Sequence, residues 1–211
     1  MYIPPFEKLE KADKDGAMAL INRTRCVLAK LRNRLEHPYY RCSEIVCPSE
    51  LTVYQCERDF LDMAIERFIS LGGEYQPTKL ERACKEFDEK LDKISKVTLI
   101  KGKYLFGDFN NQRVAAICGE EVFIASRDGY SGQERDTIID KPTFLEELKS
   151  MRIGEWRHDY RPERFGISML DGESWRLIIE YVGGGKKEYG GCNAYPYNFS
   201  DLTWLFDEHF V

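Results

Sequence analysis

Apolar side chains recur at spacings of three, four and seven through the first 96 residues, which is typical of one face of an α-helix. Pro38 ends the first such stretch, because proline lacks an amide hydrogen and restrains the residue before it. Ser49 is a candidate N-cap of the second. The pattern predicts three helices, at residues 17–35, 49–72 and 78–95. With short links between them, they predict an antiparallel bundle.

After residue 96 the pattern changes to runs rich in β-branched and aromatic residues, separated by Gly and Asn turns. These runs predict six strands, at residues 97–106, 113–118, 121–125, 153–160, 175–181 and 186–189. Residues 126–140 are rich in Gly, Ser and Asp and are predicted to be a loop. Short helices are expected at residues 144–148 and 199–207.

The strand region has the pattern of an internal duplication. Asp108 and Arg113, before an aliphatic strand, recur 63 residues later as Asp171 and Arg176. Each strand is followed by a turn with Gly, a second strand and a helix that begins with Phe. We therefore expect two β-β-β-α units, at residues 97–150 and 153–207, in one antiparallel sheet with both helices on one face. The alternative is that two hairpins followed by a helix are alike by chance.

The predicted fold class is α+β, with two parts. A three-helix bundle of residues 1–96 packs with or beside the antiparallel sheet of residues 97–211. The chain has 211 residues, of which 43% are hydrophobic and 32% charged, as in an ordinary soluble globular protein. No aliphatic run approaches the roughly 20 residues of a spanning helix, so a membrane partner is not expected.

The net charge of −5 is unevenly distributed along the chain. The first 96 residues carry 17 basic and 17 acidic side chains, so the whole excess of acid lies in the second part. An acidic surface disfavours phosphate backbones and could attract a basic partner. The chain has seven cysteines and no export signal at its N-terminus, which predicts reduced thiols and a cytoplasmic location.

The most specific motif is the segment Gly-Gly-Cys-Asn-Ala-Tyr-Pro-Tyr-Asn-Phe at residues 190–199. It follows an outlying Trp156 and the strand Asp-Gly-Glu-Ser-Trp at residues 171–175. In residue order, this part resembles a C-terminal module of uncharacterised bacterial proteins. The resemblance covers roughly residues 153–206. It implies a small β-rich module and brings no known activity with it.

The polar and aromatic side chains of this module are candidates for contact with a ligand or a protein partner. The candidate binding residues are Trp156, Tyr160, Asn193, Tyr195 and Tyr197. Aromatic residues such as Trp and Tyr are enriched in protein interfaces. The structural alternative is that the rings pack a core and that Asn193 forms an ordered turn.

The first helix carries a basic patch that could contact nucleic acid. Its candidate residues are Arg23, Arg25, Lys30, Arg32 and Arg34. Arginine and lysine neutralise phosphates and so provide sequence-independent affinity. The alternative is a solvated helix flank whose long stems cover the edge of the core and whose charges pair internally.

The sequence contains one candidate metal site and one candidate catalytic set. Cys42, Cys47 and Cys56 could bind zinc, but their spacings of five and nine lack the paired pattern of zinc ligands. Cys192 with His158 and Asp159 is a conceivable nucleophile, base and acid, although nothing in the spacing favours it. No metal, cofactor or catalytic residue is therefore predicted.

Three functional hypotheses follow. The first is a non-catalytic cytoplasmic protein-interaction module, such as an inhibitor or antidefence protein of a phage or mobile element. The second is a small-ligand-binding or enzyme module centred on the Gly-Cys-Asn-Ala-Tyr-Pro loop. The third is nucleic-acid binding through the basic first helix. The pattern of residues favours the first, because the aromatic module is acidic rather than basic.

Overall fold

A computed structural model describes residues 2–40, 48–103, 110–129, 131–169 and 171–207. Its helices are α1 (Phe6–Glu10), α2 (Lys14–Leu35), α3 (Glu50–Ser70), α4 (Lys79–Asp88), α5 (Lys141–Ser150) and α6 (Phe199–Asp207). Its strands are β1 (Ile94–Lys103), β2 (Asn110–Cys118), β3 (Glu121–Arg127), β4 (Glu134–Asp140), β5 (Asp159–Tyr160), β6 (Glu173–Tyr181) and β7 (Lys186–Cys192). The fold is α+β, as the sequence predicts.

The chain divides into two compact units, Met1–Pro77 and Thr78–Val211. The structure does not reproduce the predicted three-helix bundle of residues 1–96, because the third helix belongs to the second unit. That helix, α4, opens with a capping box between Thr78 and Glu81 and ends at Asp88. The chain then makes one 3₁₀ turn and enters β1 at Ile94. Apolar residues at a spacing of three suit both a helix and this turn into a strand.

The first unit is an antiparallel pair of long helices with α1 against it. Lys14 at the start of α2 donates to the carbonyl of Gly72 beyond α3, and Arg34 near the end of α2 pairs with Glu50 at the start of α3. The predicted cap of α3 is confirmed, since the Ser49 side chain accepts from the amide of Thr52. The buried side chains of the two long helices include Ala17, Ile21, Leu28, Phe60, Leu61, Ala64 and Phe68.

The second unit is built on one seven-stranded sheet with the order β4-β3-β2-β1-β6-β7-β5. The pairs are antiparallel, except that β5 runs parallel to β7. One face is covered by helices. The cluster of buried side chains on this face includes Phe87, Val97, Leu99, Ala115, Ile124, Phe144, Leu148, Leu177, Ile179, Leu202 and Phe206. Along each strand, the residues that alternate with these buried ones place their side chains on the opposite face of the sheet. That face is called the open face below.

The predicted β-β-β-α units are only partly recovered. Residues 126–140, predicted to be a loop, contain β4, so four strands precede α5. The predicted strand at 153–160 is mostly irregular, because it opens with a 3₁₀ turn after Arg152, whose φ is 51°, and only Asp159–Tyr160 pairs. The hairpins β2–β3 and β6–β7 do flank β1 on its two sides, and the helices after them share one core. Within the described residues, no helix is long and apolar enough to cross a membrane.

Candidate functional site

The aromatic residues of the C-terminal module form one packed cluster centred on Trp175. Trp156 meets the Trp175 ring edge-on at a centroid distance of 6.3 Å, and Phe199 lies 4.7 Å from it. Tyr160 and Tyr195 also contact this ring, at 5.7 and 6.3 Å. Trp156 and Tyr160 are only 4% and 3% exposed. The cluster therefore contributes mainly to the core, and these two residues offer almost no surface to a partner.

The indole and amide groups of the cluster bond to one another or to the backbone. The Trp156 indole donates to Oδ1 of Asn198 at 3.1 Å, and Nδ2 of Asn198 donates to the carbonyl of Met151 at 2.8 Å. The Trp175 indole donates to the carbonyl of Ala194 at 2.8 Å. A buried donor needs a partner, and here the fold provides it. Asn198, which directly precedes α6, uses its side chain for these longer-range bonds.

Asn193 holds the beginning of β6 in place. Its side-chain oxygen accepts from the amide of Glu173 at 2.9 Å, and its side-chain nitrogen donates to the carbonyl of Asp171 at 2.7 Å. Its φ of 52° is left-handed, which asparagine tolerates better than most residues. Gly172 must lack a side chain, because a Cβ there would fall 1.8 Å from the Asn193 oxygen. The amide is thus engaged within the chain.

Tyr195 lies half-buried at the rim of the cluster. Its hydroxyl donates to Oε2 of Glu173 at 2.8 Å, and Lys101 pairs with the other oxygen of that carboxylate at 3.3 Å. Burial, and next the bond to Glu173, raise the pKa of Tyr195 well above its ordinary value, so the hydroxyl stays protonated. Tyr197 is also half-buried. The Tyr195 hydroxyl and Lys101 are thus both engaged by the same carboxylate within the chain.

The structure does not bring Cys192 and His158 together. Cys192 lies on the open face of β7, whereas Tyr189, three residues earlier, points to the helix-covered face. The His158 ring stacks on that Tyr189 ring at 5.4 Å, and its Nδ1 lies 3.1 Å from the carbonyl of Glu188. A nucleophile and its base must lie within hydrogen-bond reach, and these two side chains face opposite sides of the sheet.

Much of the basic patch on α2 is used inside the first unit. Arg32 is 6% exposed and pairs at 2.7 Å with Glu36, itself 2% exposed. Arg25 bonds to the hydroxyl of Tyr75 and lies over its ring, and Arg34 pairs with Glu50. The exposed side chains of Arg23 and Lys30 remain available to solvent. Internal pairing reduces the charge that this helix could offer to phosphates.

Two of the three candidate zinc ligands, Cys42 and Cys47, lie outside the described residues. Cys56 is half-buried on α3. Over the described ranges, no group of three or more His, Cys, Asp or Glu side chains could hold a metal ion.

A surface that was not predicted from the sequence lies on the open face at one end of the sheet. Phe123 on β3 and Ile138 on β4 are directly opposite each other in register and are 42% and 54% exposed. Next to them, Val114 and Ala125 line a groove of about 430 Å³ together with Asp136. The β-branched run Thr-Ile-Ile at residues 137–139 of the predicted loop was the available signal, but the charged residues around it hid the strand.

The chain matches no protein-family model, and it shows no significant similarity to a curated protein or to a solved structure.

Proposed function

We propose that this chain is a non-catalytic protein-interaction module that works in the cytoplasm and binds its partner through the open face at strands β3 and β4. The observation that carries the proposal is the exposed pair Phe123 and Ile138. Large apolar side chains that lie side by side in water are a feature of protein-binding surfaces, whereas isolated ones are common and need no explanation.

The apolar pair is part of a larger patch. Ala116 on β2 is in register with Phe123, and Val114 is in register with Ala125, so five apolar side chains adjoin one another across three strands. On the other face of the same strands the apolar residues are packed under helices, as Val122 and Ile124 are fully buried. Among the described residues Ile138 stays 54% exposed, and contact with another protein would bury the remainder of its side chain.

The aromatic cluster supports this surface indirectly. Its rings and polar groups are packed against one another, so the cluster stabilises the sheet that carries the patch. The more specific role of an inhibitor or antidefence protein of a phage or mobile element stays a prediction. Nothing in the geometry favours the small-ligand or nucleic-acid hypotheses over this one.

The test compares two charged substitutions at exposed apolar residues. Ile138→Lys places a charge in the patch, and Val182→Lys places one at the β6–β7 turn, where Val182 is 70% exposed. Neither is expected to change stability by more than about 0.5 kcal/mol, because both side chains are at the surface. Tagged proteins are incubated with lysate, cross-linked and analysed by quantitative mass spectrometry.

We expect proteins captured by the unsubstituted chain to be retained by Val182→Lys and depleted at least tenfold by Ile138→Lys. The depletion at one patch, rather than capture itself, is the supporting result. Equal capture by the two variants, or no capture above a tag-only control, contradicts the proposal.

A further inference from the structure

We infer that the outer edge of β4 accepts an extended, basic segment of the partner protein as an eighth strand of the sheet. The inference rests on the proposed function and names the chemistry of its partner. Strand addition uses main-chain hydrogen bonds for affinity and alternate side chains for specificity.

Two backbone hydrogen bonds at the ends of β4 show which of its amide and carbonyl groups point towards β3 and which point outwards. The amide of Asp128 donates to the carbonyl of Gln133 and the amide of Lys141 donates to that of Glu120, both at 2.9 Å. In an antiparallel pair the residues that exchange hydrogen bonds alternate. The odd-numbered residues from 133 to 141 therefore turn their amides and carbonyls towards β3. The even-numbered residues between them, at 134, 136, 138 and 140, turn theirs towards the outside.

This outer edge is long and accessible compared with the other edge of the sheet. β4 has seven residues, or about 24 Å of strand, whereas β5 at the opposite edge has two. In the described part of the chain, no strand pairs with the outer side of β4. The β3–β4 pairing has a continuous register, and β4 contains no proline, so neither a bulge nor a missing donor blocks it.

The charge of the edge determines which segment would fit. The outward residues place their side chains on the open face, and three of them are exposed acids: Glu134, Asp136 and Asp140. Exposed Glu121 stands opposite Asp140 in register. A hydrogen bond from the amide of Thr143 lowers the pKa of Asp140, which keeps it charged. Arg127 balances Glu134 at 3.8 Å, and an acidic excess remains around the apolar Ile138.

A complementary strand therefore carries a basic residue opposite each acid and an apolar residue opposite Ile138. In antiparallel orientation the peptide Lys-Val-Val-Thr-Lys-Glu-Lys has this pattern. Its three lysines face Asp140, Asp136 and Glu134, and its third residue, Val, faces Ile138. Its Glu faces Arg135, which lies on the other side of β4.

Binding is measured by fluorescence anisotropy with this peptide, labelled at its N-terminus, and the full-length protein at low salt. We expect a saturable signal. The peptide with its charges exchanged, Glu-Val-Val-Thr-Glu-Lys-Glu, should bind at least tenfold more weakly. No binding at millimolar protein, or equal binding of the two peptides, overturns the inference.

A second comparison isolates the main-chain bonds. N-methylation of the third peptide residue removes an amide hydrogen that would point at β4, whereas N-methylation of the second removes one that would point away. The first change should weaken binding at least tenfold and the second much less. Equal effects of the two methyl groups show that the peptide lies on the surface without extending the sheet, and contradict the inference.

The protein offers a matched pair of variants. Asp136→Ala removes a carboxylate, and Asp136→Pro removes the same carboxylate together with an outward amide hydrogen. Proline is tolerated where an edge strand turns its N–H away from the sheet, so folding should survive, and circular dichroism checks it. We expect Asp136→Pro to bind the peptide at least tenfold more weakly than Asp136→Ala.

Equal binding by the two Asp136 variants refutes strand addition. In that case the capture experiment with Ile138→Lys still decides the proposed function, because it tests the side chains of the patch and not the backbone of the edge.

Discussion

Asn198 is a buried link between three parts of the second unit, and its removal is predicted to destabilise that unit strongly. It lies just before α6, is 3% exposed, and joins the Trp156 indole to the carbonyl of Met151. In Asn198→Ala both of those groups lose their partner inside the protein. Each buried polar group without a hydrogen-bond partner costs about 1–3 kcal/mol, so the free energy of unfolding should fall by about 2–6 kcal/mol. That is a large part of the roughly 5–15 kcal/mol that stabilises a typical protein.

The assay can observe the second unit by itself. All three tryptophans, at residues 156, 175 and 204, lie in Thr78–Val211, so their fluorescence during urea denaturation reports on that unit. Ser200→Ala, at an exposed residue of α6, is the matched control and should change the unfolding free energy by less than about 0.5 kcal/mol.

A double-mutant cycle tests the specific hydrogen bond. Trp156→Phe removes the indole N–H. In the double variant with Asn198→Ala, no buried indole donor is therefore left without a partner. The two losses should therefore fall short of additivity by about 0.5–3 kcal/mol. Additive losses, or an Asn198→Ala variant as stable as Ser200→Ala, would refute the reasoning.

Two further predictions concern packing and pH. Gly154→Ala should destabilise the second unit by about 1–3 kcal/mol in the same fluorescence assay, because the new Cβ would lie 2.5 Å from the carbonyl of Ala83 on α4; a stability equal to wild type contradicts this close approach. In the first unit, burial raises the pKa of Glu57, which accepts a bond from Tyr2, above its ordinary value of 4.5. The folded state then binds the proton more tightly than the unfolded state, so stability is highest below the unfolded pKa and falls as pH rises towards the folded one. Hydrogen exchange of α3, corrected for intrinsic rates, should show this fall, and Glu57→Gln should flatten it; an unchanged slope in the variant would count against buried Glu57 as the cause.

The helices of the first unit were predictable because their signals are local. The apolar spacing of α2 and the Ser49 cap of α3 are contained in short stretches of sequence, and each stretch forms the helix that it predicts. The assignment of α4 to a bundle failed for a different reason. An amphipathic stripe indicates that a helix buries one face, but it does not indicate which element covers that face. In the structure, Phe87 on α4 packs in the core of the sheet.

Strand β4 was not predicted because an edge strand can have a different residue composition from a central strand. Its exposed side is occupied by Glu134, Asp136 and Asp140, and charged residues on an edge are common in natural sheets. Such a composition resembles a loop when only the sequence is considered. The pairing with β3 makes it a strand, and pairing is a tertiary property that local propensity does not contain.

The aromatic segment is a different case, in which a local motif suggests a site and several of its residues have a packing role in the tertiary structure. A Gly-Gly pair beside aromatic residues is compatible with a ligand loop. In the fold, Gly191 is required because a Cβ there would lie 2.5 Å from the Trp175 indole nitrogen. The glycine thus makes room for a ring of the same module, and spacing alone could not distinguish the two uses.

Ile138 and Ile139 are adjacent in sequence, and the difference between them supports the proposed location of an interaction surface. Ile139 points to the helix-covered face and packs against the core, so its apolar side chain is explained by folding. Ile138 points to the open face and is 54% exposed, so folding of the described structure gains little from it. Within the described residues Ile138 stays largely exposed beside Phe123, on a strand whose outer side pairs with no other described strand, which is what the proposed docking surface requires. On the proposal that a partner docks there, the surrounding acids favour a basic partner, and charge as well as shape would determine what binds.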